Sequence, residues 1–196
     1  YAVYGLPEAY RDAIKKATLT ANPGCYPTAS ILALLPLAEQ GLIHGKSIFV
    51  DAKSGTTGAG VKAKAGTHFC SVNDNFKAYG IATHRHTIEI EEKLSKASES
   101  DLSIQFTPHL LPIDRGILAS VYVPACTMDE EALYELYESR YETHPYANVV
   151  RQAPELKHVR GTNQCRIYIK KDERTNNAVI ISAIDNLMKG AAGQAI

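Results

Sequence analysis

Residues 21–28 have the sequence Ala-Asn-Pro-Gly-Cys-Tyr-Pro-Thr, a turn that connects a predicted strand to a predicted helix. The strand is short (residues 19–21), and the helix over residues 28–40 is rich in alanine and leucine, which predicts that it is largely buried. The Pro-Gly pair presents Cys25 at the start of this helix, where backbone N–H groups and the helix dipole favour an anion. We therefore expect the Cys25 thiol to ionise more easily than a free thiol. A small buried cysteine without a chemical role is the alternative, and the turn alone does not decide between the two.

The composition is that of an ordinary globular chain, and it excludes several classes of function. The 196 residues are 45% hydrophobic and 21% charged, and 21 basic residues balance 21 acidic ones. A net charge of zero without a basic stripe predicts no nucleic-acid partner, and apolar runs too short to span a bilayer predict no membrane partner. Four widely spread cysteines without a C-x-x-C pair, and no secretory signal, predict reduced thiols and a cytoplasmic protein.

The remaining segments predict a mixture of helices and strands. Helices are predicted over residues 7–17, from residue 83 or 87 onward, over 128–143 and over the small-residue segment 185–195. Strands are predicted at residues 47–52, 102–106, 117–126, 149–150, 164–170 and 178–184, with residues 66–78 irregular. The segment 102–106 is predicted to form a hairpin with 117–126, and 164–170 with 178–184. Because the strands come mainly as hairpins rather than β-α-β units, we predict an α+β fold with a mixed, mostly antiparallel sheet and helices packed on one face.

A second segment that could take part in the chemistry is the small-residue loop Lys-Ser-Gly-Thr-Thr-Gly-Ala-Gly at residues 53–60. Three glycines in six positions allow a backbone to approach a ligand closely. Their spacing is G-x-x-G-x-G, which is neither the dinucleotide fingerprint G-x-G-x-x-G nor a P-loop, and a flexible connection is the alternative. Lys62 and Lys64 follow the loop, so an anion could also be held here.

Two histidines and an arginine, His84-Arg85-His86, precede the helix that is predicted from residue 83 or 87. A His-x-His pair could bind a metal, but no third ligand of matching character lies nearby in sequence, so no metal site is predicted. A general acid/base beside an anion-binding arginine fits the segment better. Arg115 lies at the tip of the first predicted hairpin, where it is either a functional contact or plain solvated surface.

Five blocks together resemble the N-acetyl-γ-glutamyl-phosphate reductase family of the arginine pathway. They occur in the family's order over nearly the whole chain: VYGLPE at residues 3–8, ANPGCYPT at 21–28, KSGTTGAG at 53–60, HRHTIEI at 84–90 and DNLMKGAAGQA at 185–195. The Pro-Gly-Cys-Tyr-Pro-Thr and His-Arg-His blocks are specific, and the glycine loop is less so. Two positions depart from the family pattern. Val61 replaces an arginine, which leaves the anion contact to Lys62 or Lys64, and Ile88 replaces a proline at the helix start.

The resemblance implies a domain organisation and a set of partners. Residues 1–196 would be the catalytic and dimerisation domain, which shares its fold with the corresponding domains of glyceraldehyde-3-phosphate and aspartate-semialdehyde dehydrogenases. The family's N-terminal Rossmann domain, which binds the cofactor NADPH, is missing from this sequence, so the isolated chain is expected to be inactive. The implied partners are a small acyl-phosphate substrate and further copies of the chain, as a dimer or a tetramer.

The resemblance also implies a reaction and the residues that perform it. The reaction is the NADPH-dependent reductive dephosphorylation of N-acetyl-γ-glutamyl phosphate to N-acetylglutamate semialdehyde through a thioester on Cys25. His86 is favoured as the acid/base partner of the thiol and His84 as a neighbour that anchors the substrate, although the two roles could be exchanged. The other implied contacts are Arg85, Arg115, Ser54 and Gly55 for the substrate, and Asn186 and Gly58 for the NADP cofactor.

Three other functions compete with this interpretation. An aspartate-semialdehyde-type dehydrogenase domain would share the cysteine and histidine chemistry, but the Pro-Gly-Cys-Tyr-Pro-Thr and His-Arg-His blocks argue against it. A Cys-His thiol hydrolase would need no nucleotide, and the glycine loop together with residues 185–195 argues against that. The isolated chain could also act only as an association module, because the nucleotide-binding domain is missing.

Overall fold

The computed structural model of the chain describes residues 1–43 and 47–196. Its strands are β1 (Val3–Tyr4), β2 (Thr20–Ala21), β3 (Ile48–Ser54), β4 (Lys77–Ala78), β5 (Ile104–Leu110), β6 (Ile117–Val123), β7 (Ala147–Val149), β8 (Cys165–Asp172) and β9 (Asn177–Ile184). Its α-helices are α1 (Pro7–Lys15), α2 (Cys25–Glu39), α3 (Phe69–Val72), α4 (His86–Ser98), α5 (Glu130–Tyr141) and α6 (Gly193–Ala195). Single 3-10 turns lie at Thr56–Ala59, Ala65–Thr67 and Leu156–His158, and a π-helical turn at Met188–Ala192.

Seven of the strands form one sheet in the order β4-β5-β3-β6-β9-β8-β7, and β1 pairs with β2 in a separate ribbon. Four of the six neighbouring pairs in the sheet are antiparallel, and the pairs β3–β5 and β7–β8 are parallel. The predicted α+β class with a mixed, mostly antiparallel sheet is therefore confirmed. The hairpin of β8 and β9, predicted from residues 164–170 and 178–184, is also confirmed.

The other predicted hairpin, residues 102–106 with 117–126, is wrong because β3 lies between β5 and β6. β5 runs parallel to β3 after a crossover through α4, so this part of the chain is a β-α-β unit. The segment after β5 crosses the end of β3, where the Leu111 N–H donates to the Ser54 carbonyl at 2.9 Å. The turn residues that predicted a hairpin instead carry the chain over one intervening strand.

Helix α2 is the centre of the core, and it packs against α4, α5 and the sheet strands β6, β8 and β9. It is buried on all sides, as its alanine- and leucine-rich sequence predicts. Pro36 lies within it and cannot donate to the carbonyl of Leu32, one turn earlier. The Tyr141 hydroxyl of α5 donates to that carbonyl instead at 2.6 Å, and Tyr137 donates to the Ala33 carbonyl at 2.5 Å. Tyr141 thus supplies the donor that Pro36 cannot, and Tyr137 adds a hydrogen bond to the next carbonyl of the helix.

The helices α2, α4 and α5 cover one face of the sheet, and the opposite face carries the alternate residues of each strand. On that open face Phe49 of β3 lies opposite Tyr122 of β6, and the two side chains are 44% and 38% exposed. Such exposure of aromatic residues at the middle of a sheet is typical of a surface that another chain covers. Within the described residues, no helix is both long enough and apolar enough to cross a membrane.

Candidate active site

The turn at residues 21–28 places Cys25 in the first turn of α2. The helix begins at Cys25 itself rather than at residue 28, because Gly24 has the extended conformation of an N-cap. The Gly24 N–H donates to Oε1 of Glu89 on α4 at 2.9 Å, and the Tyr4 hydroxyl donates to the same oxygen at 2.7 Å. One carboxylate therefore fixes the nucleophile turn against α4 and β1.

Cys25 faces a cavity of about 610 Å³ that gathers most of the predicted site residues. Seven of them contribute to its walls: Cys25, Ser54, Gly55, Gly58, His84, Arg85 and His86. The walls also include residues that the sequence analysis did not assign to the site, among them Tyr26, Thr67, Lys77, Tyr79 and Leu110. Tyr26 could have been found from its place beside Cys25, whereas Lys77 and Tyr79 come from a polar stretch that carries no motif.

The two histidines occupy different environments at the start of α4. His86 is 9% exposed, and its ring lies against Gly24, where an added Cβ would be only 2.5 Å from Nε2. Its Nδ1 is buried and has no hydrogen-bond partner among the described residues. Nδ1 of His84, by contrast, accepts the backbone N–H of His86 at 3.2 Å, so His84 caps the helix. The imidazole beside the cysteine turn is therefore that of His86.

The charge states of this pair differ from the expectation. Burial raises the pKa of Cys25, and the negative charge of Glu89 acts in the same direction. The backbone N–H groups at the helix start and the charge of Arg85 lower the pKa of Cys25, but they do not compensate for burial. The expected easily ionised thiol is therefore wrong for this structure. Burial, with the nearby charges of His84 and Arg85, also lowers the pKa of His86 to about 4. At neutral pH the site therefore holds a protonated thiol and a neutral imidazole.

A tyrosine pair lies on the floor of the cavity. The Tyr79 hydroxyl donates to the Tyr26 hydroxyl at 3.1 Å, and Tyr26 donates to the carbonyl of His109 at 3.0 Å. The rings of Tyr26 and Tyr79 both meet the ring of His84 edge-on. Burial raises the pKa of both tyrosines, so both stay protonated. These contacts fix the orientation of His84 and leave little freedom in this wall.

The glycine loop contributes to the cavity wall and contains the 3-10 turn Thr56–Ala59. An added Cβ on Gly55 would lie 2.5 Å from the Asp114 carbonyl oxygen, and one on Gly58 would lie 2.9 Å from Oγ of Ser54. The two glycines are therefore required for close packing of the loop. Ser54 itself is buried, and its hydroxyl donates to the Gly55 carbonyl at 3.0 Å.

Two predicted site residues, Arg115 and Asn186, do not line the cavity. Arg115 lies at no hairpin tip, and its guanidinium pairs with the fully buried Asp185 at 3.1 Å. Asn186 is 2% exposed; its Oδ1 accepts the Gly116 N–H at 2.6 Å and its Nδ2 donates to Oγ1 of Thr57 at 2.9 Å. Asn186 thus holds the glycine loop from behind through Thr57, whereas the Arg115 side chain holds Asp185.

Asp185 organises the start of the closing segment, which comprises residues 185–195. Its carboxylate accepts N–H groups from Gly161, Leu187 and Met188 in addition to the Arg115 contact. Burial acts to raise the pKa of Asp185, but these donors outweigh it and hold the pKa below its ordinary value. The carboxylate is therefore ionised and fully bonded, as a structural anchor requires.

The closing segment, predicted as a small-residue helix over residues 185–195, consists of the π-helical turn and α6. The segment packs tightly against the start of α2, as predicted. A Cβ added to Gly190 would lie only 2.9 Å from the Cβ of Cys25. Next to it, Nζ of Lys189 forms a buried ion pair with Oε1 of Glu8 at 2.5 Å. The side chains are 2% and 4% exposed, respectively. The helix is interrupted at Ala191, whose backbone angles are not helical.

Comparison with known proteins places this geometry in a family. A family profile described as "Semialdehyde dehydrogenase, dimerisation domain" matches residues 25–186. The chain is similar to curated N-acetyl-γ-glutamyl-phosphate reductases of Desulforudis audaxviator and Desulfotalea psychrophila, each 52% identical over 100% of the chain. The chain spans 57% and 58% of the length of these two relatives.

Solved structures show the same fold at low sequence identity. A probable aspartate-semialdehyde dehydrogenase from Pseudomonas aeruginosa has a TM-score of 0.75 and 13% identity, with 99% of this chain and 66% of that chain covered. An aspartate semialdehyde dehydrogenase with NADP from Candida albicans has a TM-score of 0.60 and 15% identity, with 97% and 60% covered.

Proposed function

The chain belongs to the semialdehyde dehydrogenase dimerisation-domain family, and on this premise we propose that residues 1–196 are the catalytic and dimerisation domain of an N-acetyl-γ-glutamyl-phosphate reductase. One observation supports the proposal above the others: Cys25 in the first turn of α2 and His86 in the first turn of α4 meet at one cavity. The reaction would be the NADPH-dependent reductive dephosphorylation of N-acetyl-γ-glutamyl phosphate to N-acetylglutamate semialdehyde, in arginine biosynthesis.

The first step is the attack of the Cys25 sulfur on the γ-acyl carbon of the substrate. Because the thiol is protonated and the His86 imidazole is neutral, we propose that His86 removes the thiol proton as the C–S bond forms. The C–O bond to phosphate then breaks, and inorganic phosphate leaves with that electron pair. The product of this step is a thioester on Cys25. Arg85, on the wall of the same cavity, supplies a positive charge for the departing phosphate.

The second step reduces the thioester. NADPH, when bound, supplies the hydride, which carries the two electrons of the reduction. The carbonyl oxygen becomes an alkoxide and takes the proton that His86 received from the thiol. The aldehyde forms when the C–S bond breaks: the sulfur leaves with its electron pair, and the hydroxyl proton returns through His86 to the sulfur, which restores the thiol and the neutral imidazole. The one proton consumed overall comes from solvent and is taken up by the departing phosphate. The net change is acyl phosphate, NADPH and one proton to aldehyde, NADP⁺ and phosphate.

The residues of the glycine-loop wall fit the nicotinamide end of the cofactor. Gly55 and Gly58 present bare backbone to the cavity, and side chains at these positions would collide with their neighbours. A flat ring can approach such a wall closely. The Asn186 amide nitrogen is 3.7 Å from the position of a Cβ on Gly58, directly behind this wall. We therefore propose that Gly58 and Asn186 contribute to the nicotinamide site, Asn186 by holding the loop that forms it.

The open face of the sheet is proposed to bind a second copy of the chain. Phe49 and Tyr122 give this face an apolar centre, and Asp51, Lys53 and His109 surround it with charged and polar groups. An apolar core with a polar rim is the composition of subunit interfaces. The family description as a dimerisation domain supports the same proposal. All four cysteines are free thiols, which supports a cytoplasmic location.

The test of the proposed function uses the full-length protein that contains this chain. Incubation with N-acetyl-γ-glutamyl phosphate without NADPH should add one acyl group to Cys25, detectable by intact mass and peptide mapping. Cys25→Ser should abolish both the adduct and turnover, whereas Cys70→Ser, a change at an exposed free cysteine, should preserve both. His86→Gln should slow adduct formation by about 10²–10⁴-fold, the usual contribution of general acid–base catalysis.

The same assay separates the competing functions. Turnover of aspartate semialdehyde with phosphate and NADP⁺, in preference to N-acetylglutamate semialdehyde, would indicate the aspartate-type enzyme. Release of phosphate without nucleotide, at a rate equal to that with NADPH, would indicate a thiol hydrolase. The 196-residue chain alone is proposed not to turn over, and acyl-enzyme formation in it would still report the cysteine chemistry.

A further inference from the structure

Among the residues that the structure describes, three cationic side chains line the cavity and no carboxylate does. They are Lys64, Lys77 and Arg85, and within the described residues none of them forms an ion pair with an aspartate or glutamate. Uncompensated cations on the wall of one concave site raise the local concentration of anions. The cavity therefore favours a ligand with more than one negative group.

The three cations do not lie in equivalent places. Arg85 adjoins His86 and is the cation whose charge lowers the pKa of Cys25. Lys77 lies on β4 at the edge of the sheet, and its Nζ donates to the carbonyl of Gly66 at 2.9 Å. Lys64 immediately precedes the 3-10 turn Ala65–Thr67 that contains this carbonyl. Lys77 thus holds the turn in place beside Lys64, and the two amines form a second cationic region of the wall.

The substrate of the proposed function carries two anionic groups that are separated by a fixed number of bonds. The phosphate is bonded to the carbon that Cys25 attacks, so it must lie next to the sulfur and within reach of Arg85. Three carbons separate that acyl carbon from the carbon of the α-carboxylate, which places the carboxylate at the far end of the cavity. Lys64 and Lys77 are the remaining cations of the cavity wall, and they come from segments other than the His84-Arg85-His86 segment.

We propose that Lys64 and Lys77 form the subsite for the α-carboxylate of the substrate, and that Arg85 serves the phosphate. This assignment rests on the proposed function and extends it to substrate specificity. Lys77 is the stronger contact because its amine is already positioned by the Gly66 carbonyl, whereas Lys64 is exposed. Two lysines, rather than one arginine, can adjust to a carboxylate on a flexible side chain.

The reverse reaction tests the assignment because it separates the two anions. N-acetylglutamate semialdehyde carries the carboxylate, and inorganic phosphate is a separate substrate. Loss of one charge-assisted contact should raise the KM for the aldehyde about tenfold in Lys77→Gln and about threefold in Lys64→Gln. The KM for phosphate should change less than about twofold in both variants. Lys157→Gln is the matched control, because Lys157 is an exposed lysine outside the walls of the cavity.

An aldehyde without the carboxylate, 4-acetamidobutanal, sharpens the test. With the unmodified enzyme its KM should exceed that of N-acetylglutamate semialdehyde by about thirtyfold, the product of the two single losses, and Lys77→Gln should cause no further loss. A raised KM for phosphate in the lysine variants, or an equal loss with both aldehydes, would overturn the carboxylate assignment. Turnover by the unmodified enzyme with unchanged KM values in the variants would refute the lysine subsite alone. No turnover by the unmodified enzyme would refute the proposed function itself.

Discussion

Removing either partner of the buried ion pair between Glu8 and Lys189 should destabilise the domain. The two charged atoms are 2.5 Å apart, and their side chains are 4% and 2% exposed. The pair joins α1 near the start of the chain to the closing segment near its end. Gly190 follows Lys189 and packs against the Cβ of Cys25, so the pair also supports the wall behind the nucleophile.

The size of the effect follows from burial. Breaking a buried pair by removing one partner leaves an uncompensated charge and costs about 3–5 kcal/mol. For a domain of this size the midpoint of thermal unfolding falls by about 2–4 °C per kcal/mol. Glu8→Gln and Lys189→Met should therefore each lower the midpoint by about 6–20 °C. The double variant should recover part of the loss, because no buried charge is then left without a partner.

The measurement is thermal and urea unfolding followed by circular dichroism, with all variants at the same protein concentration. Asp12→Asn is the control, since it breaks the exposed pair of Asp12 with Lys15 and should leave the midpoint unchanged. A loss below about 1 kcal/mol in both single variants would refute the reasoning. A double variant as unstable as the sum of the two single changes would refute the coupling between them.

Three further predictions concern the site and the open face. Gly24→Ala should abolish turnover and acyl-enzyme formation, because its Cβ would lie 2.5 Å from Nε2 of His86, whereas Gly66→Ala, with its nearest contact at 3.8 Å, should fold and react normally. The rate of iodoacetamide alkylation of Cys25 should keep rising with pH beyond the pH range in which ordinary thiols ionise, because burial raises the pKa of Cys25. A plateau of the rate at neutral pH would contradict this. Tyr122→Glu should shift the chain from dimer to monomer in analytical ultracentrifugation, and an unchanged sedimentation coefficient would exclude the open face as the interface.

Short-range patterns in the sequence were sufficient for most of the elements and for the candidate reacting groups. The Pro-Gly-Cys turn and the His-Arg-His segment each depend on residues that are adjacent in the chain, and the structure brings both to one cavity. The hairpin of β8 and β9 is joined by a short turn, so its pairing is also local. These features could be predicted because a few neighbouring residues determine them.

The features that could not be predicted depend on partners far apart in sequence. A turn between two strands does not reveal that a third strand, β3, lies between them, because β3 precedes both in the chain. Arg115 and Asp185 are 70 residues apart, so the local sequence around Arg115 allows a substrate contact or a solvated turn residue but does not indicate its pairing with Asp185. The pKa of Cys25 belongs to the same class, since the walls that bury the thiol come from several separate segments.

The charge states of Cys25 and His86 suit the kind of substrate that the site is proposed to bind. A thiolate present before binding would neutralise part of the positive charge of Arg85 and repel an approaching phosphate. A protonated Cys25 beside a neutral His86 leaves the charges of Lys64, Lys77 and Arg85 available to the incoming anion. In the proposed mechanism, the thiol proton then moves to His86 only when the acyl carbon is in place. Burial of the nucleophile, which opposes its ionisation in the free domain, thus serves the binding of a substrate with two negative groups.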